Sequence, residues 1–363
     1  MSQLFSPLTL KSITLRNRIG VAPMCQYSAV EGVAQAWHMS QLGSKAVGGA
    51  GLVIAEATAA LPEGRITPAC MGLWNDEQVE ALKPITAFIK SQGAVAGVQL
   101  AHSGRKGSSA PPWLGGQQLT EAEGGWDTLG PTSEPFDDDG TRLWKTPKAM
   151  TVSDIERIQE GFVSAAKRAI AAGYEFLEVH CAHGYLMHSF LSPLVNTRTD
   201  GYGGDLKQRA RFLLETTKMV RDVWPQDLPL AVRLSMTDWA EGGLTVQDNI
   251  QVAAWLKELG VDLVDCSSGG ANPASRGSIN GGIAQQVGMA ADLRKNTGLM
   301  SMAVGEITQA EQAENIIATG QADIVLLARE LLRDPYWPTH AAQKLGVDVA
   351  QVMPPLHQFF IGR

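Results

Sequence analysis

The sequence predicts an α/β fold of one kind, a (β/α)8 TIM barrel with a capping excursion after its third strand. Three observations carry that prediction. Short apolar runs recur along the chain, each preceded by an amphipathic segment that ends near Gly, and most closing on a polar or reactive residue. The runs are almost continuously apolar, which means burial on both faces, as in a parallel sheet. Eight of them can be placed, the number that closes a barrel of βα units.

The first run is Ile19 to Pro23. Gly51 then leads into Ile54-Ala55-Glu56, Gly93 into Val98-Gln99, and Gly173 into Val179-His180. Leu230 to Leu234 follows the Asp-Leu-Pro turn at 227–229. Gly260 into Val264-Asp265, Gly298 into Val304-Gly305, and Gly320 into Leu327-Ala328-Arg329 complete the set. Gly just past a helix supplies the left-handed cap. An open doubly wound sheet would show a Gly-x-Gly-x-x-Gly turn after its first strand. Here that strand runs into Pro23-Met-Cys-Gln-Tyr27 instead.

Two helices can be checked by period. Ile155, Ile158, Phe162, Ala165, Ala166 and Ala169 share a face, with Ser153 and Glu156 read as a capping box. Leu206, Ala210, Leu213, Leu214, Thr217 and Val220 share another, with Asp205 as N-cap. Residues 103–150 break the rhythm. They are rich in Gly, Pro, Ser and acid, include Trp113, Trp126 and Trp144, and are too long for a simple connection. Following the third strand, they are expected to lie over the open end of the barrel as a lid. Asp137 to Asp139 reads as a solvated loop within them. Residues 1–363 are read as a single domain.

Composition excludes several classes. The chain has 363 residues, 44% of them apolar, enough for a large core. A net charge of −7 argues against nucleic acid, whose phosphates need a basic surface. Cys25, Cys70, Cys181 and Cys266 form no Cys-x-x-Cys pair, so free thiols in a reducing compartment are expected. No basic stretch followed by an apolar one opens the chain, and no run reaches the ~18 apolar residues that span a bilayer. The expectation is a cytoplasmic protein without membrane partners.

A barrel builds its site at the C-terminal ends of its strands. Those ends read Pro23-Met24-Cys25, Glu56-Ala57, Gln99 with His102, His180 with His183 and Tyr185, Arg233, Ser267-Ser268, Gly305, and Ala328-Arg329. Two imidazoles and a phenol thus leave one strand end into one small volume. Imidazoles offer donors to an oxygen that gains negative charge, and a phenol offers a proton. Gly305 and Arg329 fall where barrels commonly hold a phosphate. Gly269-Gly270 and Gly281-Gly282 could bring backbone N–H groups to an anion. The set suggests a flavin mononucleotide pocket. Gln99 would serve the pyrimidine edge, and Arg233 the side that becomes negative on reduction.

At these residues the chain resembles the Old Yellow Enzyme family of FMN-dependent ene-reductases. The strongest part runs from His180-Cys-Ala-His-Gly-Tyr-Leu186 through Phe190-Leu-Ser-Pro-Leu-Val-Asn196 and Arg198-Thr-Asp-Gly-Tyr-Gly-Gly204 to Arg209-Ala-Arg-Phe-Leu-Leu-Glu215. Pro23-Met-Cys-Gln-Tyr27 resembles the branch with a cysteine near the flavin, the xenobiotic-reductase-like branch. Glu63-Gly-Arg-Ile-Thr-Pro68 and Leu326-Leu-Ala-Arg-Glu-Leu331 are similar to that branch too. The resemblance implies FMN held by Pro23, Met24, Ala57, Gln99 and Arg233, with its phosphate near Gly305 and Arg329 and its potential modulated by Cys25. It implies NADPH or NADH as reductant. Substrate would meet Tyr27, His180, His183 and Tyr185: the two imidazoles would bind the carbonyl oxygen of an α,β-unsaturated compound, and Tyr185 would protonate the α-carbon. It also implies a homodimer or homotetramer, with Phe359, Phe360 or Arg363 as candidates to reach a neighbouring subunit's site. Ala328 departs from the Gly that often precedes the phosphate Arg.

Blander readings stand beside these. Paired histidines can bind a metal, but barrel metallohydrolases usually open with His-x-His on the first strand, which is absent here, so no metal is expected. His102 is read as shaping its own turn, and Arg233 has the alternative of a strand-end ion pair. Cys70, Cys181 and Cys266 are read as packing residues, and His38, His188, His340 and His357 carry no functional expectation. The alternative activities are reduction of nitro compounds or nitrate esters, or the chemistry of another FMN barrel dehydrogenase.

Overall fold

The computed structural model describes residues 2–137, 144–273 and 285–361. Eight parallel strands close into a barrel in the order of the chain. They are β1 (Ile19–Val21), β2 (Leu52–Ala59), β3 (Val95–Ala101), β4 (Phe176–Cys181), β5 (Leu230–Ser235), β6 (Leu263–Ser267), β7 (Met300–Ala303) and β8 (Ile324–Leu327), with β8 pairing back onto β1. Every residue of these strands is buried except Met300 at the start of β7, as expected of strands covered on both faces.

Helices α1 (Ala36–Val47), α2 (Asp76–Ser91), α3 (Val152–Ala171), α4 (Leu206–Val223), α5 (Val246–Glu258), α6 (Gln285–Thr297) and α7 (Ala310–Ala318) alternate with the strands. On α3 the six apolar residues picked out by period are all fully buried. Phe162 alone contributes roughly 1.5–3 kcal/mol by leaving water. The cap of α3 differs from the expectation. Thr151 is the N-cap and Asp154 closes the box, so the helix begins ahead of Ser153. The pair Thr151 and Asp154 has the same spacing as Ser153 and Glu156, and Val152 takes helical geometry between them. Asp205 caps α4 by accepting from the Gln208 N–H.

Two apolar cores result. One fills the layer between strands and helices. The other fills the lower end of the barrel. There a hairpin of Leu8–Leu10 and Ile13–Leu15 packs Leu8, Leu10, Ile13 and Leu15 against Leu52, Ile54, Phe176 and Ile324. Three-residue strands leave too little periodicity to read, which is why this plug was not foreseen. With the lower end filled by hydrocarbon, the upper end holds the polar residues.

The excursion after β3 carries short turns and a two-stranded pair, Leu129–Gly130 with Lys148–Ala149. It is tied to the body by Trp126 Nε1 donating to the Glu63 carbonyl at 3.0 Å. The Arg105 guanidinium donates to the Ala271 carbonyl at 2.7 Å. Asp137 is buried, not solvated as expected. Asp138 and Asp139 lie outside the described residues, as do Gly281-Gly282 and Arg363.

Candidate active site

The β4 end delivers its three groups together. The His180 ring lies 5.1 Å from that of His183 and 5.1 Å from that of Tyr185, edge to face in both cases. The turn that presents them is built for this. His183 takes φ 61° and Gly184 φ 75°, both left-handed. A Cβ on Gly184 would sit 1.9 Å from the Gly270 carbonyl oxygen, so only glycine lets the loops after β4 and β6 touch. The Gly184 N–H donates to His188 Nδ1 at 2.8 Å, and His188 Nε2 lies 3.0 Å from Asp238 Oδ1, both residues being fully buried. Asp238 in turn accepts from Ser192 Oγ and the Leu244 N–H. His188 is thus a brace for the turn, a role that no local pattern announces.

Both imidazoles are pushed far below their ordinary pKa by burial, and the nearby charges of Arg233 and Lys106 act in the same direction. They are therefore neutral at pH 7. His180 Nδ1 accepts from the Ala182 N–H at 3.1 Å, so the single ring proton sits on Nε2 and is free to donate. His183 Nε2 is 2.7 Å from Ser267 Oγ. Burial pushes the Tyr185 phenol well above its usual value, which keeps it protonated.

Beneath this trio lies a buried polar layer. Gln99 Nε2 donates to Glu178 Oε1 at 2.7 Å, and Arg233 Nε sits 3.0 Å from Asp265 Oδ2. The register places Gln99 beside Glu178, and Arg233 between His180 and Asp265. Two carboxylates face one guanidinium out of water. Burial, aided by Asp265, pushes Glu178 up to about 8, and burial pushes Asp265 up to about 6. The sequence signal for Glu178 is its place as the lone acid within the apolar run Phe176-Leu-Glu-Val179. A pH test follows. Between about 4.5 and 8 the folded state holds a proton on Glu178 that the unfolded chain releases, so stability falls as pH rises through that window. Glu178→Gln should flatten that fall in denaturation midpoints measured from pH 5 to 8.

The β1 end places Pro23, Met24, Cys25 and Tyr27 half-buried, with Tyr27 at φ 50°. Burial, followed by the charges of Cys70 and Glu56, pushes the Cys25 thiol up. The β2–β3 pairing skips Glu56, a bulge between Ala55 and Ala57. The bulge turns Glu56 toward the β1 loop, where its carboxylate accepts from the Gln26 N–H at 2.8 Å and lies 3.2 Å from His38 Nε2. His38 is thus a second brace not foreseen. Ala57 stays buried beside Gln99. His102 Nδ1 accepts from the Gly104 N–H at 3.1 Å, shaping its turn as expected.

At the β7 and β8 ends a cleft of about 340 Å³ is lined by Gly305, Glu306, Ala328, Arg329 and Arg333. Gly305 has φ 116°, and an added Cβ would meet Gln286 Oε1 at 2.8 Å. Arg329 is exposed and lies 3.4 Å from Glu306. Two guanidiniums beside a glycine backbone fit a phosphate. Gln99 and Arg233 fit the polar edge of a flat heterocycle. Buried Glu178 Oε2 and Asp265 Oδ1 make no hydrogen bond, and such orphaned atoms fit a ligand-binding layer. The residues present therefore fit FMN.

Between the β1 and β4 ends and the excursion lies a cavity of about 230 Å³, lined by Tyr27, Ile66, Lys106, Pro112, Trp144 and Tyr185. Lys106 and Trp144 carried no local signal. Phe359 and Phe360 sit exposed on the C-terminal helix Pro355–Ile361. Among the described residues, no group of three or more His, Cys, Asp or Glu could hold a metal, and no helix is long and apolar enough to cross a membrane.

Residues 3–348 match the model of the NADH:flavin oxidoreductase / NADH oxidase family. The chain is 44% identical over 349 residues to an NADPH dehydrogenase of Bacillus velezensis, covering 96% of each chain. It is 43% identical over 351 residues to one of Geobacillus sp., again 96% of each. Among solved structures it resembles the old yellow enzyme homologue from Zymomonas mobilis, with TM-score 0.79, 26% identity and 98% of each chain covered. Morphinone reductase matches with TM-score 0.78 and 26% identity, over 97% of this chain and 93% of that one. A 2-naphthoyl-CoA reductase matches with TM-score 0.84 and 26% identity, over 96% of this chain but only 53% of that longer one.

Proposed function

Because the chain belongs to the NADH:flavin oxidoreductase / NADH oxidase family, we propose that it is an NAD(P)H-dependent FMN enzyme reducing the C=C bond of α,β-unsaturated carbonyl compounds. The observation that carries this reading is the meeting of two neutral imidazoles and a protonated phenol at the β4 end, where the phenol lines one small cavity. Pro23, Met24, Ala57, Gln99 and Arg233 would hold FMN, with Gly305 and Arg329 at its phosphate, and the bound group would supply hydride for a new C–H bond at the substrate's β-carbon. As that bond forms, negative charge collects on the carbonyl oxygen. His180, through Nε2–H, and His183 stabilise it without needing to reorganise. Tyr185 then gives its proton to the α-carbon. Tyr27 borders the substrate, and Ile66 and Trp144 exclude water. The reading includes a cytoplasmic homodimer or homotetramer, in which Phe359, Phe360 or Arg363 reaches a neighbouring subunit.

The test is stopped-flow reoxidation of the NADPH-reduced, FMN-loaded protein by a small panel. Fastest turnover on a cyclic enone supports this reading. Preference for nitro compounds or nitrate esters favours the alternative acceptors. A colourless protein that takes up no FMN sinks the cofactor assignment.

A further inference from the structure

We propose that Glu178 is a positioning residue that carries a proton beneath the bound FMN and, by keeping or losing it, sets how readily the ring accepts electrons. The inference rests on the cofactor reading above and extends it to an acid that the reading leaves without a role.

The register gathers one polar level inside the barrel. Gln99 on β3 stands beside Glu178 on β4, and Arg233 on β5 stands beside Asp265 on β6. Glu178 and Asp265 are fully buried, and Gln99 and Arg233 nearly so. His180, further along β4, is neutral. Ile54 on β2, Met302 on β7 and Leu326 on β8 belong to the apolar core below and add only hydrocarbon. The level therefore holds two carboxyl groups against one guanidinium, and a single proton makes it neutral.

The contacts decide where that proton sits. Asp265 Oδ2 holds the Arg233 guanidinium at 3.0 Å, which favours its charged form. Glu178 Oε1 accepts from Gln99 Nε2 at 2.7 Å, and Oε2 finds no hydrogen-bond partner among the described residues. The proton therefore belongs on Glu178, and burial beside Asp265 retains it up to about pH 8.

Two consequences follow. A neutral Glu178 still accepts from Gln99 through its carbonyl oxygen, which leaves Gln99 Oε1 as the acceptor for a ring N–H. Charge supplies the second. A hydride from NAD(P)H carries two electrons and one proton, so reduction adds one negative charge above this level and leaves NAD(P)+ behind. An ionised Glu178 opposes that charge, and a protonated one does not. By linkage, the added charge tightens the hold of Glu178 on its proton. Near pH 8 reduction therefore draws a second proton from solvent onto Glu178, whereas at lower pH that proton is already in place.

The experiment is a spectroelectrochemical titration of FMN-loaded protein from pH 6 to 9.5. Wild type is compared with Glu178→Gln, which keeps the acceptor for Gln99 but cannot ionise, and with Asp265→Asn. At pH 6 wild type and Glu178→Gln should share one midpoint potential. By pH 9.5 the wild-type value should lie lower by about 30 mV, a tenfold change in the equilibrium of a two-electron couple. The gap should open where wild type takes up about two protons per two electrons in place of one. Asp265→Asn removes the neighbouring charge that helps Glu178 keep its proton, so the two-proton segment should move to lower pH. An offset between wild type and Glu178→Gln that is the same at every pH, or no offset at all, overturns the role of Glu178 while FMN remains bound. A two-proton segment that persists in Glu178→Gln also overturns it. A preparation that takes up no FMN removes the cofactor reading, and this inference with it.

Discussion

Replacing His180 by Ala is expected to lower kcat/KM for a cyclic enone by roughly a hundredfold, about 3 kcal/mol of lost transition-state stabilisation. The size follows from geometry. His180 is buried, neutral and locked by the Ala182 N–H into the tautomer whose Nε2 donates. It cannot be replaced by water without loss of that preorganisation. The effect should fall on reoxidation, measured by stopped flow, and on phenol affinity. Reduction by NADPH places no charge on an enone oxygen and should change far less. His180→Ala with unchanged phenol affinity and unchanged reoxidation would remove the oxyanion role.

Tyr185→Phe is expected to slow reoxidation by an enone by about 10²- to 10⁴-fold, the usual span for loss of a general acid. Burial keeps the phenol protonated across the working range, so the wild-type rate should show no alkaline limb from Tyr185 below pH 9. The ring, its edge-to-face contact with His180 and its place over Lys106 all survive the change to Phe. Ligand binding should therefore persist while proton delivery fails. Equal loss in the reductive and oxidative half-reactions would show that Tyr185 supports the site and does not donate.

Much of this was legible before folding. Strands buried on both faces must be apolar throughout, so eight such runs alternating with helices announce a closed parallel barrel. In such a barrel a polar residue ending a strand is a candidate for the site, so His180, Gln99 and Arg233, which the register sets close together, could be picked out as candidates directly. The run His180-Cys-Ala-His-Gly-Tyr185 kept the donor trio within six residues. Helix faces were readable for the same local reason. The cap of α3 was misplaced because two overlapping pairs satisfy the same spacing.

The amino-acid order by itself thus determined the barrel and the clustering of His180, His183 and Tyr185 at one strand end, because each depends on spacing within a few residues. Only the tertiary structure decided which distant groups stand behind them. Lys106 meets His183 across 77 positions, His188 meets Asp238 across 50, and a single bulge turns Glu56 toward His38 and Gln26. Packing chooses those partners, since a buried charge must find its counterpart wherever the closed fold places one.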